Sequence, residues 1–223
     1  VPRRLSHEAG ERTAADGSKL VELDRAGLEQ AIVQLRAAGV EAIAICSLNS
    51  YANPAHEHEA SELVRARWPE GHVSASCEVL PEFREFERLS STVVNAYLMP
   101  ITRGYLGTFE AEVSRMGVPE PPLVMSSGGG IMTPAQAGRR PIDTLFSGPS
   151  GGVSAAVHVA TRAGYRNLVA FDMGGTSTDV CLVQDGAPQM SHARIINGCP
   201  IRATALDVHT VGAGGSSIAA LDP

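Results

Sequence analysis

The chain has 223 residues, of which 43% are hydrophobic, 19% charged and 4% aromatic, with a formal charge of −6 and an isoelectric point near 5.6. That length and apolar content build a buried core and rule out a disordered chain. The net negative charge argues against a nucleic-acid backbone as the main partner, and no apolar run reaches the roughly 18 residues of a membrane span. The charged first stretch, Val1 to Gly17, reads as carrying no secretory signal.

Asp24 opens a helical pattern in which Leu28, Ala31, Ile32, Leu35 and Ala38 recur at helix spacing before Gly39 stops it. Val40 to Cys46 reads as a buried strand. Asn53-Pro54 starts a second helix that runs to Trp68, and His72 to Cys77 reads as another strand. Helix, strand, helix, strand in that order predicts parallel pairing with right-handed crossovers. Residues 1–81 thus read as the tail of an α/β domain.

From Pro81 the pattern changes. Phe83, Phe86, Leu89, Val93, Tyr97 and Met99 fall along one helical face, which predicts a helix ending at Pro100 and a second helix from Ile101 to Met116. Residues 82–119 are expected to connect one lobe to the next. After Glu120-Pro121-Pro122 a new α/β run starts at Leu123, so residues 120–223 read as a second lobe. Within it, Pro141 to Phe146 is an expected strand, Val153 to Ala163 a helix, and Leu168 to Phe171 and Val180 to Val183 two strands. Asp185-Gly186 is a turn signal, and further β stretches pass through Ile195 and from Ile201 to Leu206.

Four cysteines, Cys46, Cys77, Cys181 and Cys199, lie far apart with no C-x-x-C pair. They read as buried thiols of a reducing, cytoplasmic compartment rather than as disulfides or a zinc site.

Four segments carry possible chemistry. In Phe171 to Val180 (FDMGGTSTDV) an acidic residue ends a strand, two glycines make a tight turn, and hydroxyl residues begin the return strand. Successive N–H groups in such a turn form an anion-binding nest, because Gly allows close approach and positive φ. Thr176 and Thr178 add hydroxyls, while Asp172 and Asp179 suit Mg²⁺ held through water. Val211 to Ser217 (VGAGGSS) reads as a second Gly-rich turn at the start of a helix; it lacks the Lys of a P-loop. Ser147 to Gly152 (SGPSGG) either faces phosphate or uses its Gly and Pro for turn geometry alone. Asp207 and His209 point to one face if on a strand, which fits one metal, one activated water, or a hydrogen-bonded pair. His56 and His58 in AHEHEA diverge by about 200 degrees on a helix, so they read as a solvated helix start rather than one metal site.

Leu80 to Pro100 (LPEFREFERLSSTVVNAYLMP), SGPSGGV, FDMGGTSTDV and LDVHTVGAGG, in this order, resemble the hydantoinase A/oxoprolinase family; Ser50 to Glu57 (SYANPAHE) also matches. The similarity extends over nearly the whole chain. It implies an α/β fold of two ribonuclease-H-like lobes related to actin, sugar kinases and chaperone ATPases, and ATP with Mg²⁺ or another divalent metal as cofactors. It also implies ATP-dependent hydrolysis of a cyclic amide such as a hydantoin or 5-oxoproline. The alternatives are a ketone carboxylase subunit and an ATP-driven binding module. A hydantoinase B-like subunit or domain is the implied partner, with no membrane or nucleic acid. By resemblance, Asp172, Gly174, Gly175, Thr176 and Thr178 form the phosphate hairpin and Gly212, Gly214 and Gly215 approach the nucleotide. Asp207 and His209 take a metal or water role beside Asp172. The family has a further D-x-G-G-T-x-T-D hairpin that this sequence does not contain, so the chain is expected to be a central piece of a longer protein. It departs from the family at Ser126-Ser127-Gly128-Gly129-Gly130, where many members carry Q-S-N-G-G, and at Ser216, where many carry Gly.

Overall fold

A computed structural model of the chain describes residues 1–218 and 220. In chain order its elements are β1 (Arg12–Thr13), β2 (Lys19–Val21), α1 (Arg25–Ala37), β3 (Ala42–Ile45), α2 (Ala55–Arg67), β4 (His72–Ala75), α3 (Ser76–Val79) and α4 (Glu85–Arg115). There follow β5 (Val124–Met125), β6 (Ile131–Met132), α5 (Pro134–Arg139), α6 (Ser147–Arg162), β7 (Leu168–Met173), β8 (Thr178–Gln184), β9 (Ala187–Pro188), β10 (Met190–Ser191), β11 (Arg194–Ile196), β12 (Cys199–Ile201), β13 (Ala205–Leu206) and β14 (Val208–Val211). The fold is α/β and divides into two compact units. The first comprises Val1–Pro119, Gly138–Ile142 and Ala193–Ala203; the second comprises Glu120–Ala137, Asp143–His192 and the described residues from Thr204 onward.

In the first unit the carboxylate of Asp24 accepts the Gly27 N–H at 3.0 Å and so caps α1, while Gly39, at φ +74, ends it in the left-handed conformation that glycine tolerates. β3 and β4 pair in parallel across α2, with Ile45 opposite Ala75, as the order of elements predicts. The core beneath them is Ile32, Val64, Trp68 and Val73, with Leu28, Val40, Ile43 and Leu63 packed around it. β3 itself is half-buried rather than fully buried.

α4 overturns one expectation. It is one helix of 31 residues with Pro100 inside it, not two helices. Proline removes one backbone hydrogen bond there, but Ala96 and Met99, both buried, hold the turn before it against the unit. The buried face is also the polar one. Arg88, Ser91, Thr92 and Asn95 are inside, whereas Phe86, Leu89, Tyr97, Ile101 and Tyr105 face outward, Tyr97 with 72% of its surface exposed. Hydrogen bonds make this orientation affordable. Asn95 donates to Ser74 Oγ at 3.0 Å and to the Arg139 carbonyl at 3.2 Å, and its Oδ1 accepts the Ile142 N–H at 3.2 Å. Thr92 returns its hydroxyl to the Arg88 carbonyl, and Ser91 accepts the Arg202 N–H at 2.9 Å. β11 and β12 form a hairpin whose turn, Asn197-Gly198, has φ of +48 and +78, a two-residue turn signal that strand patterning alone passed over.

The second unit is built on an antiparallel sheet in the order β14-β8-β7, with β9 on β8. One face of the sheet carries Ala170, Cys181, Val183 and Val208, which join Val153 of α6 and Leu206 in a core. The other face leaves Val169, Phe171, Met173, Leu182 and Val211 exposed. Asp185 and Gly186 adopt the left-handed conformations of a two-residue hairpin turn, at φ +53 and +80.

Three further expectations give way here. Pro141 to Phe146 is not a strand: Pro141–Thr144 forms a 3-10 turn with Pro141 and Ile142 buried. Ser147 to Gly152 is not a loop before a helix but the first turns of α6, with Pro149 where a missing N–H costs nothing. The helix expected after the Val211 to Ser217 turn falls on residues of which only 218 and 220 are described. None of the four cysteines is in a disulfide; Cys181 is buried, Cys46 and Cys77 are half-buried, and Cys199 is exposed, against the expectation of buried thiols.

Replacing Asn95 by Ala strands the Ile142 N–H and the Ser74 hydroxyl in a buried setting. The expected loss is about 2–3 kcal/mol of unfolding free energy, read from urea denaturation. A loss below about 0.5 kcal/mol would show that the polar face of α4 contributes little.

Candidate functional site

The residues singled out by sequence gather around the turn between β7 and β8. Asp172 pairs with Asp179, and Met173 with Thr178, so the connecting turn is only Gly174-Gly175-Thr176-Ser177. The Gly174 N–H is held by the Ser177 carbonyl at 2.9 Å. The N–H groups of Gly175 and Thr176 meet no protein acceptor among the described residues, which leaves two successive donors for an anion.

Residues directly opposed on antiparallel strands project to one face. Asp172, Asp179 and Thr210 therefore form a row across β7, β8 and β14, and Thr210 donates its hydroxyl to Asp179 at 2.6 Å. The row lies on the face that α6 covers. Gly152, in the second turn of α6, is so near that a Cβ there would sit 3.8 Å from Asp172 Oδ2. The SGPSGG segment thus runs beside the Asp172 carboxylate as helix rather than as a loop. Its Ser150 is occupied structurally, donating to the Ser127 and Phe146 carbonyls at 2.7 Å each. Ser127 is a buried junction in turn, because its Oγ accepts the Phe146 N–H and its carbonyl also accepts the Leu206 N–H.

Asp207 and His209 do not join Asp172. His209 pairs with Val180, one position out of step with the Asp179–Thr210 pair, so the pleat sends it to the opposite, exposed face of the sheet. Asp207, two residues earlier, is exposed as well and gives its N–H to the Gln189 carbonyl at 2.8 Å. The expected metal set of Asp172, Asp207 and His209 is therefore split between two faces. Among the described residues no three His, Cys, Asp or Glu side chains cluster as metal ligands. The carboxylate opposed to Asp172 on the same face is that of Asp179, and the pair would suit a hydrated Mg²⁺.

The Gly-rich segment after β14 folds back on the hairpin. Gly215 donates its N–H to the Gly174 carbonyl at 2.9 Å, Ser216 its hydroxyl to the Gly175 carbonyl at 2.7 Å, and Thr178 its hydroxyl to the Ala213 carbonyl at 2.5 Å. Gly214 gives its N–H to Ser217 Oγ. A Cβ on Gly214 would lie 2.5 Å from the Gly175 carbonyl carbon, so only glycine fits. Gly212 is exposed with open space around it.

The profile described as hydantoinase/oxoprolinase matches residues 88–223, and that of the hydantoinase/oxoprolinase N-terminal region matches residues 1–68. The chain belongs to the hydantoinase/oxoprolinase family. It is 37% identical over 222 residues to the caprolactamase subunit alpha of Pseudomonas jessenii, matching 100% of this chain and 32% of that protein. It is 35% identical to the 5-oxoprolinase of Saccharomyces cerevisiae over 198 residues, matching 87% of this chain and 15% of that protein. Among solved structures, the ATP-dependent caprolactamase of Pseudomonas jessenii aligns with a TM-score of 0.88 at 36% identity, and nucleotide-free acetone carboxylase with 0.82 at 30% identity. Each alignment covers 100% of this chain and 32% of the solved one. The chain thus spans about a third of the length of its caprolactamase relative.

Within this hydantoinase/oxoprolinase chain, a second polar cluster escaped the sequence reading. Glu57, fully buried, accepts the Ser47 N–H, the Cys77 N–H and the Ser76 hydroxyl, each at 2.7 Å, and so ties together the ends of β3 and β4. Arg88 donates to the Ser47 carbonyl at 2.6 Å and lies 5.6 Å over the Tyr51 ring. His56 is not a solvated helix start: it is 1% exposed, 2.8 Å from Glu11 and 3.4 Å from Thr13, beneath the β1–β2 hairpin. His58 alone of that pair is exposed. No local pattern in AHEHEA signals the burial of Glu57, since a carboxylate goes inside only when fully paired and the donors to Glu57 lie 10 to 20 residues away. Burial, then the neighbouring Glu57, pushes the Cys77 thiol up to about 12, and burial also raises Cys46.

Between the ordinary thiol value of 9.0 and about 12 the unfolded chain releases a proton from Cys77 that the folded chain keeps. Its contribution to stability is therefore complete below pH 9 and lost as pH rises toward 12. Iodoacetamide labelling at pH 8, read by mass spectrometry, is expected to modify exposed Cys199 first and Cys77 much more slowly. Equal rates at the two would contradict the environment described.

Proposed function

We propose that the intact protein carrying this chain uses ATP to hydrolyse a cyclic amide, with the Asp172–Asp179 hairpin holding the phosphates. The observation that carries this reading is the pair of unclaimed N–H groups at Gly175 and Thr176 beside the Asp172–Asp179 carboxylate row. Preorganised donors of this kind stabilise charge on a transferring phosphoryl group without reorganising during the reaction. ATP would supply a phosphoryl group to the amide oxygen, making the attached carbon far more open to attack by water. The ring C–N bond would then break with nitrogen leaving as the amine, and a second cleavage by water, of the P–O or C–O bond, would release phosphate. The protein's own part is to fix the phosphates on the two amides and to set the carboxylates of Asp172 and Asp179 where a hydrated Mg²⁺ binds. Thr210 keeps Asp179 oriented by its 2.6 Å hydrogen bond.

The cyclic-amide substrate class rests on the caprolactamase and 5-oxoprolinase relatives; the acetone carboxylase match supports a second reading, ATP-dependent carboxylation of a ketone. The names of the relatives as subunits, alpha in caprolactamase and beta in acetone carboxylase, support a partner subunit, for which a hydantoinase B-like protein is our proposal. Residues 1–81 are proposed to close a first ribonuclease-H-like lobe, 82–119 to connect, and 120–223 to open a second; the sheet backed by α6 supports this. Four cysteines outside any disulfide support the cytoplasmic compartment, and no described helix is long and apolar enough to cross a membrane.

Substrate-dependent ATP hydrolysis by the intact protein and its partner, assayed over lactams, hydantoins, 5-oxoproline, and ketones with bicarbonate, tests the proposal. Stimulation by none of them would refute it, and stimulation only by ketones with bicarbonate would favour carboxylation. Asp172→Ala is expected to lower Mg-ATP affinity at least about tenfold and to abolish turnover with an unchanged thermal melt. His209→Ala, on the far face, is expected to leave that affinity within about twofold. Equal effects of both on affinity, measured by calorimetry, would contradict the separation of the two faces.

A further inference from the structure

The loop Gly212 to Ser217 hydrogen-bonds the hairpin at the carbonyls of Gly174 and Gly175 and at the Thr178 hydroxyl, not at the Gly175 and Thr176 amides. A planar trans peptide places each C=O and the next residue's N–H on opposite sides. The Gly174 carbonyl is engaged by the Gly215 N–H, so the Gly175 N–H points away from the loop. The Gly175 carbonyl is engaged by the Ser216 hydroxyl, so the Thr176 N–H points away as well. Two of the loop's own donors are meanwhile consumed: Gly215 by Gly174, and Gly214 by Ser217. The hydroxyl proton of Thr178 goes to the Ala213 carbonyl at 2.5 Å, in a residue only 4% exposed.

We propose that Ser216 and Thr178 are positioning residues, which lock the loop as a buttress behind the hairpin and thereby aim the Gly175 and Thr176 amides at the anion. The loop is then not a second wall of the phosphate site, and Thr178 acts on the ligand through the hairpin rather than by touching it. This rests on the nucleotide reading above and deepens it. The physical reason is preorganisation. A short Gly-Gly turn has many accessible backbone conformations, and only those with both amides on one side bind a phosphate. Two side-chain hydrogen bonds and the close seat of Gly214 remove the others before the ligand arrives.

The test uses the intact protein with Ser216→Ala and Thr178→Val, and with the hydroxyl-retaining Ser216→Thr and Thr178→Ser. Ser216 is exposed, so Ser216→Ala is expected to fold normally even if the buried Thr178→Val does not. Amide hydrogen exchange is followed without nucleotide, and affinity for MgADP and MgATP by calorimetry. Removing either hydroxyl is expected to speed exchange of the Gly174 and Gly215 amides and to weaken both nucleotides about two- to tenfold, with recovery in the hydroxyl-retaining variants. Unchanged exchange in Ser216→Ala would overturn the proposal. Loss of MgATP affinity with MgADP affinity and exchange unchanged in Thr178→Val would also overturn it, since Thr178 would then touch the terminal phosphate directly. If the unaltered protein binds neither nucleotide while the exchange differences remain, the nucleotide reading falls and the locking role stands.

Discussion

Gly214 lies so close to the Gly175–Thr176 peptide that no side chain fits between them, and the arrangement of the second unit follows from that approach. It brings the strand end after Val211 back over the β7–β8 turn, which lets Gly215 and Ser216 reach the carbonyls of Gly174 and Gly175. The carbonyls are used on one side, and the amides are left on the other. A turn of four residues with two glycines is by itself a flexible object, and its chemistry depends on which side of each peptide plane is satisfied. Here the backbone settles that question before any ligand is present.

The first unit is organised around polar groups rather than around its aromatic residues. Glu57 accepts three hydrogen bonds from the ends of two parallel strands, and Asn95 bridges β4 to the segment at Arg139–Ile142. Such groups are costly when half satisfied and specify one register when fully satisfied. They fix α4 against β3 and β4 with its serines, threonine and asparagine inward. The apolar stripe of Phe86, Leu89, Tyr97, Ile101 and Tyr105 is left outside as a consequence.

Much of the fold was legible in the residues. The Asp24 cap and Gly39 stop bounded α1, Asn53-Pro54 placed α2, and the order of elements required the parallel β3–β4 pair. The hairpin was legible too, since D-M-G-G-T between two apolar runs has few other uses. Pro100 misled because proline's penalty is local, while a helix packed on both sides of it is held by tertiary contacts. The strand expected at Pro141 to Phe146 failed for a related reason: the Ile142 N–H is claimed by Asn95, 47 residues away, and no local pattern encodes that.

The sequence by itself determined which residues could form an anion-binding turn, because that requirement is written in glycine spacing and in the hydroxyl and acidic residues beside it. It also determined the helix caps and the hairpin turns at Asp185-Gly186, which depend on backbone preferences within a few residues. Only the tertiary structure decided that Asp172 shares a face with Asp179 and Thr210 while His209 looks the other way. Strand alternation tells which residues of one strand agree, but the register between strands sets which strands' faces agree, and one step of register exchanges them. Tertiary structure also decided which face of α4 is buried, since hydrophobicity ranks side chains one at a time. Here Asn95 and Ser91 are met by Ser74, Arg139, Ile142 and Arg202, groups that no local pattern brings to this helix.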